Sequence, residues 1–391
     1  MTNHKKTLGV GLVGYAFMGA AHSLAWRTAG RAFPLPLQPQ MTALCGRNAE
    51  NLAEAAARLG WDSTELDWKS LLVRDDIDLI DLCTPGDSHA EIAIAALGAG
   101  KHVLCEKPLA NTVAEAESMA EAADRAAARG VRSMVGFTYR RVPAIALARQ
   151  LAEQGRLGEI RHVRAQYLQD WIVDPDFPLV WRLQKERAGS GALGDIGAHI
   201  VDLTQYITGQ QIRSVTAMLE TFVTERPLPL EASGLSASGA GEKGPVTVDD
   251  AALWLARFGD GAVGSFEATR FATGRKNAIR IEVNGSQGSI AFDFESMNEL
   301  SFFDNSEASA TAGFRRILVT EPDHPYVGAW WPPGHLLGYE HAFTHQAVDL
   351  VEAIASGVDP LPSFRDGLQV QRVLGAIEKS ATSKIWEDVT S

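Results

Sequence analysis

At 391 residues the chain is too long for one ordinary hydrophobic core, so two domains are expected. Its composition, 46% hydrophobic and 21% charged, is that of a globular protein; no apolar run reaches bilayer length, and MTNHKK leads into a glycine-punctuated strand rather than a cleavable signal. A net charge of −12 with no basic cluster beyond short pairs such as Arg140–Arg141 speaks against nucleic acid as a partner, while Cys45, Cys83 and Cys105, without paired or ligand-like spacing, fit a reducing cytoplasm and no metal site.

In chain order, TLGVGLVG (7–14) reads as a strand that ends in glycine, and FMGAAHSLAWRTAG (17–30) as a helix. The proline-rich stretch 31–40 reads as a loop, MTALCGRN (41–48) as a second strand with its exit turn, and 48–60 as a helix capped by Asn48 and stopped by Gly60. IDLIDLCTP (77–85) is the third strand, 88–100 a helix, HVLCEKP (102–108) the fourth strand, 111–130 a long helix and VRSMVGFTYRR (131–141) a further strand. This alternation predicts a parallel, doubly wound sheet over residues 1–140.

Residues 141–391 are expected to form a second domain. RHVRAQYLQDW, TVDDAALWLARF, GAVGSFEATRF and NAIRIEVNGSQGSIAFDF supply its strands, with hairpin turns at FGDGA and NGSQGS. The stretch 232–244 reads as a low-complexity loop, and EHAFTHQAVDLVEAIASG (340–357) as a helix packed on the second sheet. Its His341 and His345 have the spacing of zinc ligands, but no third ligand accompanies them, so core or solvated histidines are expected.

The junction GYAFMG (14–19) matches the dinucleotide fingerprint except that Ala16 replaces its middle glycine. Gly14 makes the tight turn, Gly19 lets the helix pack on the strand, and the amides of the helix start face a pyrophosphate. Where dinucleotide folds carry an acid for the ribose hydroxyls, the second strand ends in Gly46, Arg47 and Asn48. Without that carboxylate, and with a guanidinium in its place, NADP stays open beside NAD; stacking over adenine is the other use for Arg47.

Two short stretches carry chemistry. EKP (106–108) ends the fourth strand, where open α/β sheets bind their ligands, and places Lys107 there. GDIGAHIVDL (194–203) sets Asp195 and His199 one helical turn apart, with Gly194 and Gly197 around them. One reading is a tightly packed helix with Asp195 as its cap. The other is an active-site helix whose bare flank admits a substrate.

GLVGYAFMGAAH, TPGDSHAEIAIAALGAGKHVLCEKPLA and GALGDIGAHIVDL, in that order, resemble the Gfo/Idh/MocA family. The resemblance implies an N-terminal Rossmann domain, a C-terminal α/β domain with a large open, mostly antiparallel sheet, and NAD(P)-dependent oxidation or reduction of sugars and cyclitols. It implies Lys107, Asp195 and His199 as the catalytic set and favours the active-site helix, its glycines holding one face open for a sugar ring. Either His199 or Lys107 takes the hydroxyl proton, the imidazole being nearer its pKa at neutral pH; the other stabilises the alkoxide, and Asp195 binds a further hydroxyl or orients the histidine.

Cofactor contacts are implied at Gly14, Ala16, Phe17 and Met18, at Gly46 and Arg47, at Thr84, Pro85 and His89, and at Glu106, Lys107 and Arg182. Substrate contacts are implied at Tyr139, Asp170, Trp171, Trp181, Asp195, His199 and His335, with Arg140, Trp330 and Trp331 nearby. YLQDW (167–171), WRLQKERAGSGALGDI (181–196), GPVTVDD (244–250) and HPYVGAWWP (324–332) are most like family members that act on an anhydrosugar. The expected activity is oxidation of a ring hydroxyl, at C3, of a sugar, an anhydrosugar such as levoglucosan, or a glycoside. The alternative is an NAD-dependent glycoside hydrolase working through transient C3 oxidation and elimination, with Tyr139, Asp170 or His335 as a further acid or base. A non-catalytic dinucleotide sensor is disfavoured by the intact Lys107, Asp195 and His199. The expected partner is a small carbohydrate, and a homodimer or homotetramer is implied by resemblance alone.

Overall fold

The run Leu8–Val13 in strand β1 (Lys6–Val13) is buried throughout, as a central parallel strand must be. The computed structural model describes residues 6–233 and 236–390. They divide into a first unit, the chain up to Thr138 with Gly338–Leu368, and a second, Tyr139–Ala232, Ala237–Leu337 and Gln369 onward.

In the first unit β1 is followed by α1 (Phe17–Ala32), β2 (Leu37–Cys45), α2 (Ala49–Leu59), β3 (Ser63–Glu65), α3 (Trp68–Leu72), β4 (Leu79–Leu82), α4 (His89–Gly98), β5 (His102–Cys105), α5 (Val113–Ala127) and β6 (Ser133–Val135). All neighbouring strands run parallel in the order β3-β2-β1-β4-β5-β6, which is the dinucleotide-binding topology. Asn48 caps α2 by accepting from the Asn51 amide, and Gly60 closes it at φ 82°.

Three expectations change. The three-residue β3 and the short α3 are too brief for a periodic signal, so IDLIDLC is the fourth strand rather than the third. The second strand starts at Leu37, inside the proline-rich stretch, and pairs Pro39 with Leu8. Pro39 is tolerated because β3 reaches only Ala43–Cys45, which leaves the proline's other side without a partner strand. The last strand stops at Val135, and Tyr139 and Arg140 sit in a 3₁₀ turn, Thr138–Arg141.

The second unit contains α6 (Pro143–Glu153), β7 (Ile160–Leu168), α7 (Lys185–Ala188), a π-helical turn Leu193–Gly197 that runs into α8 (Ala198–Thr208), and β8 (Ile212–Glu220). After β9 (Glu225–Ser233) and β10 (Ser236–Pro245) come β11 (Ala251–Phe258), β12 (Val263–Thr269), β13 (Ala278–Gly285), β14 (Gly288–Asp293), β15 (Glu299–Asp304) and β16 (Arg315–Leu318). With the short β17 (Glu387–Asp388) they build a nine-stranded sheet, β16-β15-β14-β13-β7-β12-β11-β8-β17, antiparallel except where β12 meets β7. Along β11 and β13 burial alternates residue by residue, the pattern of a sheet covered on one face.

The stretch 232–244, expected to be a loop, lies largely in the β9–β10 pair, with residues 234–235 outside the described residues. Gly244 reflects packing: a Cβ on it would fall 2.8 Å from Leu179 Cδ2 and 3.0 Å from Leu228 Cδ2. The helix read over 340–357 also changes place. As α9 (Tyr339–Ser356) it puts Phe343, Ala347, Val348, Leu350 and Val351 into the first unit's core with Leu8, Val10, Leu12 and Trp26, not onto the second sheet. An apolar stripe announces burial without saying against what.

Candidate active site

In the first unit, Gly14 turns at φ 95°, and a Cβ there would lie 2.7 Å from the Cys83 carbonyl oxygen. A Cβ on Gly19 would lie 2.1 Å from Gly14 O, so strand and helix approach as closely as the fingerprint requires. Ala16 stands at the N-cap without a side-chain bond, which leaves the first-turn amides of Phe17 and Met18 suited to a pyrophosphate. This cradle fits a nicotinamide dinucleotide. At the end of β2 a Cβ on Gly46 would fall 2.1 Å from Tyr15 Cε1, so the tyrosine ring fills the place of the usual acid, and Arg47 is exposed beside it.

The EKP loop is anchored from beneath. Glu106, implied above as a cofactor contact, is buried and accepts from or shares a proton with His22 Nε2 at 3.0 Å, while its other oxygen accepts the Lys107 amide at 3.2 Å. His22 Nδ1 meets both oxygens of the buried Asp81 at 2.9 Å, and Trp26 Nε1 donates to Asp81 at 2.7 Å. Burial works against a charge on His22, but Asp81 and Cys83 outweigh it and hold the imidazole well above its ordinary pKa. His22, Asp81 and Cys83 have the donor types of a metal site, yet the histidine is already committed to two carboxylates. His89 likewise commits its ring nitrogens to the carbonyls of Pro108 (3.0 Å) and Thr84 (2.9 Å), joining the loops after β4 and β5. Lys107 itself is half-buried at the carboxyl end of β5, followed by a cis peptide to Pro108.

In the second unit, Asp195 lies in the π turn and His199 in the first turn of α8. π turns accumulate at functional sites. Asp249 of the GPVTVDD stretch, not Asp195, caps the helix start: its two carboxylate oxygens accept from Gly191 (2.7 Å) and Leu193 (2.8 Å), and its carbonyl from Ala192 (3.0 Å). The glycines face packed neighbours rather than open space. Gly197 is buried, and a Cβ on it would sit 3.5 Å from Ala268 and Trp254, while one on Gly194 would press on Ser190 Oγ at 2.3 Å. Gly191 is tighter still, since its Cβ would lie 1.8 Å from the Asp249 carbonyl oxygen. Gly191→Ala is therefore expected to destabilise the protein by about 1–3 kcal/mol, read as a drop in melting temperature.

His199 is 7% exposed, its ring 4.6 Å from Tyr139 and 5.9 Å from Tyr167. The two tyrosine hydroxyls are 2.9 Å apart, and Tyr167 donates to Asn277 Oδ1 at 2.7 Å, which also accepts from Gln169 at 2.8 Å. Arg140 Nε donates to the buried Asp202 of α8 at 2.8 Å, so the turn carrying Tyr139 is tied to the helix carrying His199.

The remaining candidates scatter. The Arg182 guanidinium lies 4.4 Å from the Trp181 ring; burial lowers its pKa, opposed by Asp195 and reinforced by Arg270. Trp171 lies 5.6 Å from Arg270 and packs edge-on against Phe177. Asp170 accepts from Lys276 at 2.7 Å and from the Gly274 amide at 2.9 Å, which lowers its pKa and makes it a staple of that loop. His335 is exposed, with Nδ1 2.8 Å from the Pro332 carbonyl oxygen, and Trp330 and Trp331 lie beside each other at 6.4 Å. His341 accepts the Gly338 amide at 3.0 Å and His345 is buried against Phe33, both in helix α9.

Residues 8–137 match the oxidoreductase family with an NAD-binding Rossmann fold, and residues 145–291 match the Gfo/Idh/MocA C-terminal domain. Levoglucosan dehydrogenase of Pseudarthrobacter phenanthrenivorans is 45% identical over 389 residues, 98% of each chain. The chain belongs to the Gfo/Idh/MocA family. A crystal structure of an oxidoreductase domain protein from Kribbella flavida superposes with a TM-score of 0.95 at 70% identity, over 99% of this chain and 100% of that one. A levoglucosan dehydrogenase in complex with NADH and levoglucosan superposes with a TM-score of 0.93 at 44% identity, again over 99% and 100%.

This Gfo/Idh/MocA oxidoreductase thus carries its Rossmann sheet, of the NAD-binding type, and its large mixed sheet as expected. Sequence reasoning missed Tyr15, His22, Asp81, Asp249 and Arg270 at the site. His22 had a signal, being the one imidazole on the buried stripe His22–Trp26–Ala29 of α1, where a polar group needs partners. Arg270 had a weaker one, being the one cation of GAVGSFEATR, set at its very end.

Proposed function

We propose that this protein oxidises a ring hydroxyl, at C3, of levoglucosan or a closely related sugar, with NAD as the cofactor. The near full-length likeness to levoglucosan dehydrogenase carries the reading, and the retention of Lys107, Asp195 and His199 supports it. Bound NAD supplies the hydride acceptor. His199 takes the hydroxyl proton, because a neutral imidazole accepts it near neutral pH. Lys107 donates to the same oxygen and stabilises the alkoxide, and Asp195 holds a neighbouring hydroxyl.

The assay follows absorbance at 340 nm with NAD⁺ or NADP⁺ against levoglucosan, glucose, inositols and aryl glycosides, with released aglycone read in the same wells. Net reduction with levoglucosan, and oxidation at C3 identified by NMR of the product, is the expected result. Reduction of NADP⁺ in preference to NAD⁺ would assign Arg47 to the 2′-phosphate. Cofactor-dependent aglycone release without net reduction would overturn the dehydrogenase reading in favour of the glycosidase.

The same reading includes a homo-oligomer. Met218, Leu253, Leu255 and Val263 are exposed on one face of the nine-stranded sheet, beside the ion pairs Arg164–Glu282 and Arg280–Asp293. An apolar patch with both charge signs suits a second copy of itself. Light scattering after gel filtration is expected to give a dimer or tetramer, and Leu255→Glu to shift it toward monomer.

A further inference from the structure

We propose that Asp249 and Arg270 form a clamp that positions Asp195, Asp249 through the backbone that begins its helix and Arg270 through the carboxylate. The proposal rests on the reading of Asp195 as part of the reaction site. Asp249 takes three consecutive amides, Gly191, Ala192 and Leu193, on its two carboxylate oxygens and its carbonyl, at 2.7, 3.0 and 2.8 Å. One residue from 58 positions away thereby sets where the π turn starts and which way Asp195 leaves it. The same carbonyl accepts from Arg270 Nη2 at 3.1 Å, so backbone and guanidinium share one anchor.

Arg270 is fully buried, and its Nη1 lies 3.8 Å from Asp195 Oδ2. Among the described residues neither Nη1 nor Nε has a hydrogen-bond acceptor. Buried donors without acceptors are rare and unfavourable, so what they point toward matters. Closing the gap to Asp195 by less than an ångström makes a charge-assisted hydrogen bond, a motion one side-chain torsion can supply. Trp171, 5.6 Å away, supports the guanidinium. Gly191 has no side chain because the Asp249 carbonyl occupies that space. Asp249 and Arg270 act through Asp195 and are positioning residues.

The test is a double-mutant cycle on the full-length protein with Arg270→Gln and Asp195→Asn, singly and together. Turnover of levoglucosan is normalised to the fraction that binds NADH by fluorescence. A displacement of about an ångström costs on the order of 100-fold in rate, so each single variant is expected to lose about that much kcat. In the Asp195→Asn background, Arg270→Gln is expected to cost no more than about twofold, because its effect passes through the missing carboxylate. Full turnover in Arg270→Gln, or losses that multiply in the double variant, overturns the proposal. If Arg270→Gln does not fold, Arg270→Lys, which keeps the charge but not the planar fork, replaces it in the same cycle under the same criteria. If the wild type binds NADH but turns over no sugar, the functional reading has failed while the clamp is still tested: the four melting temperatures give the cycle, coupling supporting the clamp and additivity overturning it.

Discussion

His199→Asn is expected to lower kcat/KM with levoglucosan by about 10²- to 10⁴-fold while leaving NADH binding intact. A secondary alcohol gives up its proton as the hydride leaves carbon, and an amide cannot accept that proton, although it keeps much of the volume and polarity of the ring. The histidine sits against Tyr139 at 4.6 Å and Tyr167 at 5.9 Å, so its plane is set by packing, and the tyrosines are in turn held by Asn277. NADH fluorescence titration separates loss of chemistry from loss of the cofactor site, whose cradle at Gly14–Gly19 lies in the other unit. A loss of less than about tenfold would move the base role to Lys107. In that case Lys107→Met, otherwise expected to cost the ~10²- to 10³-fold of a lost oxyanion donor, becomes the larger of the two effects.

His22→Ala is expected to cost the largest stability of any single change discussed, about 3–5 kcal/mol, or roughly 10 °C in melting temperature. Removing the imidazole leaves Asp81, wholly buried, and Glu106, nearly so, as two carboxylates without their shared cation. Trp26 still donates to Asp81, but an indole N–H does not neutralise a charge. The same bridge predicts a pH dependence with a definite sign. The folded-state pKa of His22 is raised above its unfolded value, so its contribution is fully present below about pH 6.5 and is lost as pH rises through the folded value. The wild-type melting temperature is therefore expected to fall from about pH 6 to about pH 9 by more than that of His22→Gln, compared by calorimetry at fixed salt. Equal slopes would mean that the imidazole is neutral in the folded protein. Because Glu106 also takes the Lys107 amide, His22→Gln is further expected to lower kcat more than it weakens NADH binding.

The parts of this protein that depend on neighbours in the chain were legible in its sequence. The β1–α1 turn follows from Gly14 and Gly19, α2 from Asn48 and Gly60, and the Asp195–His199 pair from helical spacing. Each is a local arrangement, set by backbone geometry within a few residues, and the family likeness rests on the same short stretches. Position in three dimensions was not legible. The stripe on α9 said that the helix is buried but not that it lies against α1, and the glycines around Asp195 looked like an opening when they are contacts with Trp254, Ala268 and Ser190. The cap of that helix comes from Asp249, the partners of His22 from β4 and the loop after β5, and a cation beside Asp195 from the end of β12. Sequence by itself supplied the candidate groups and the local element that carries each. Only the tertiary structure decided which buried charges hold them, because a buried charge is stabilised by whatever the fold brings beside it, and that neighbour has no fixed distance along the chain.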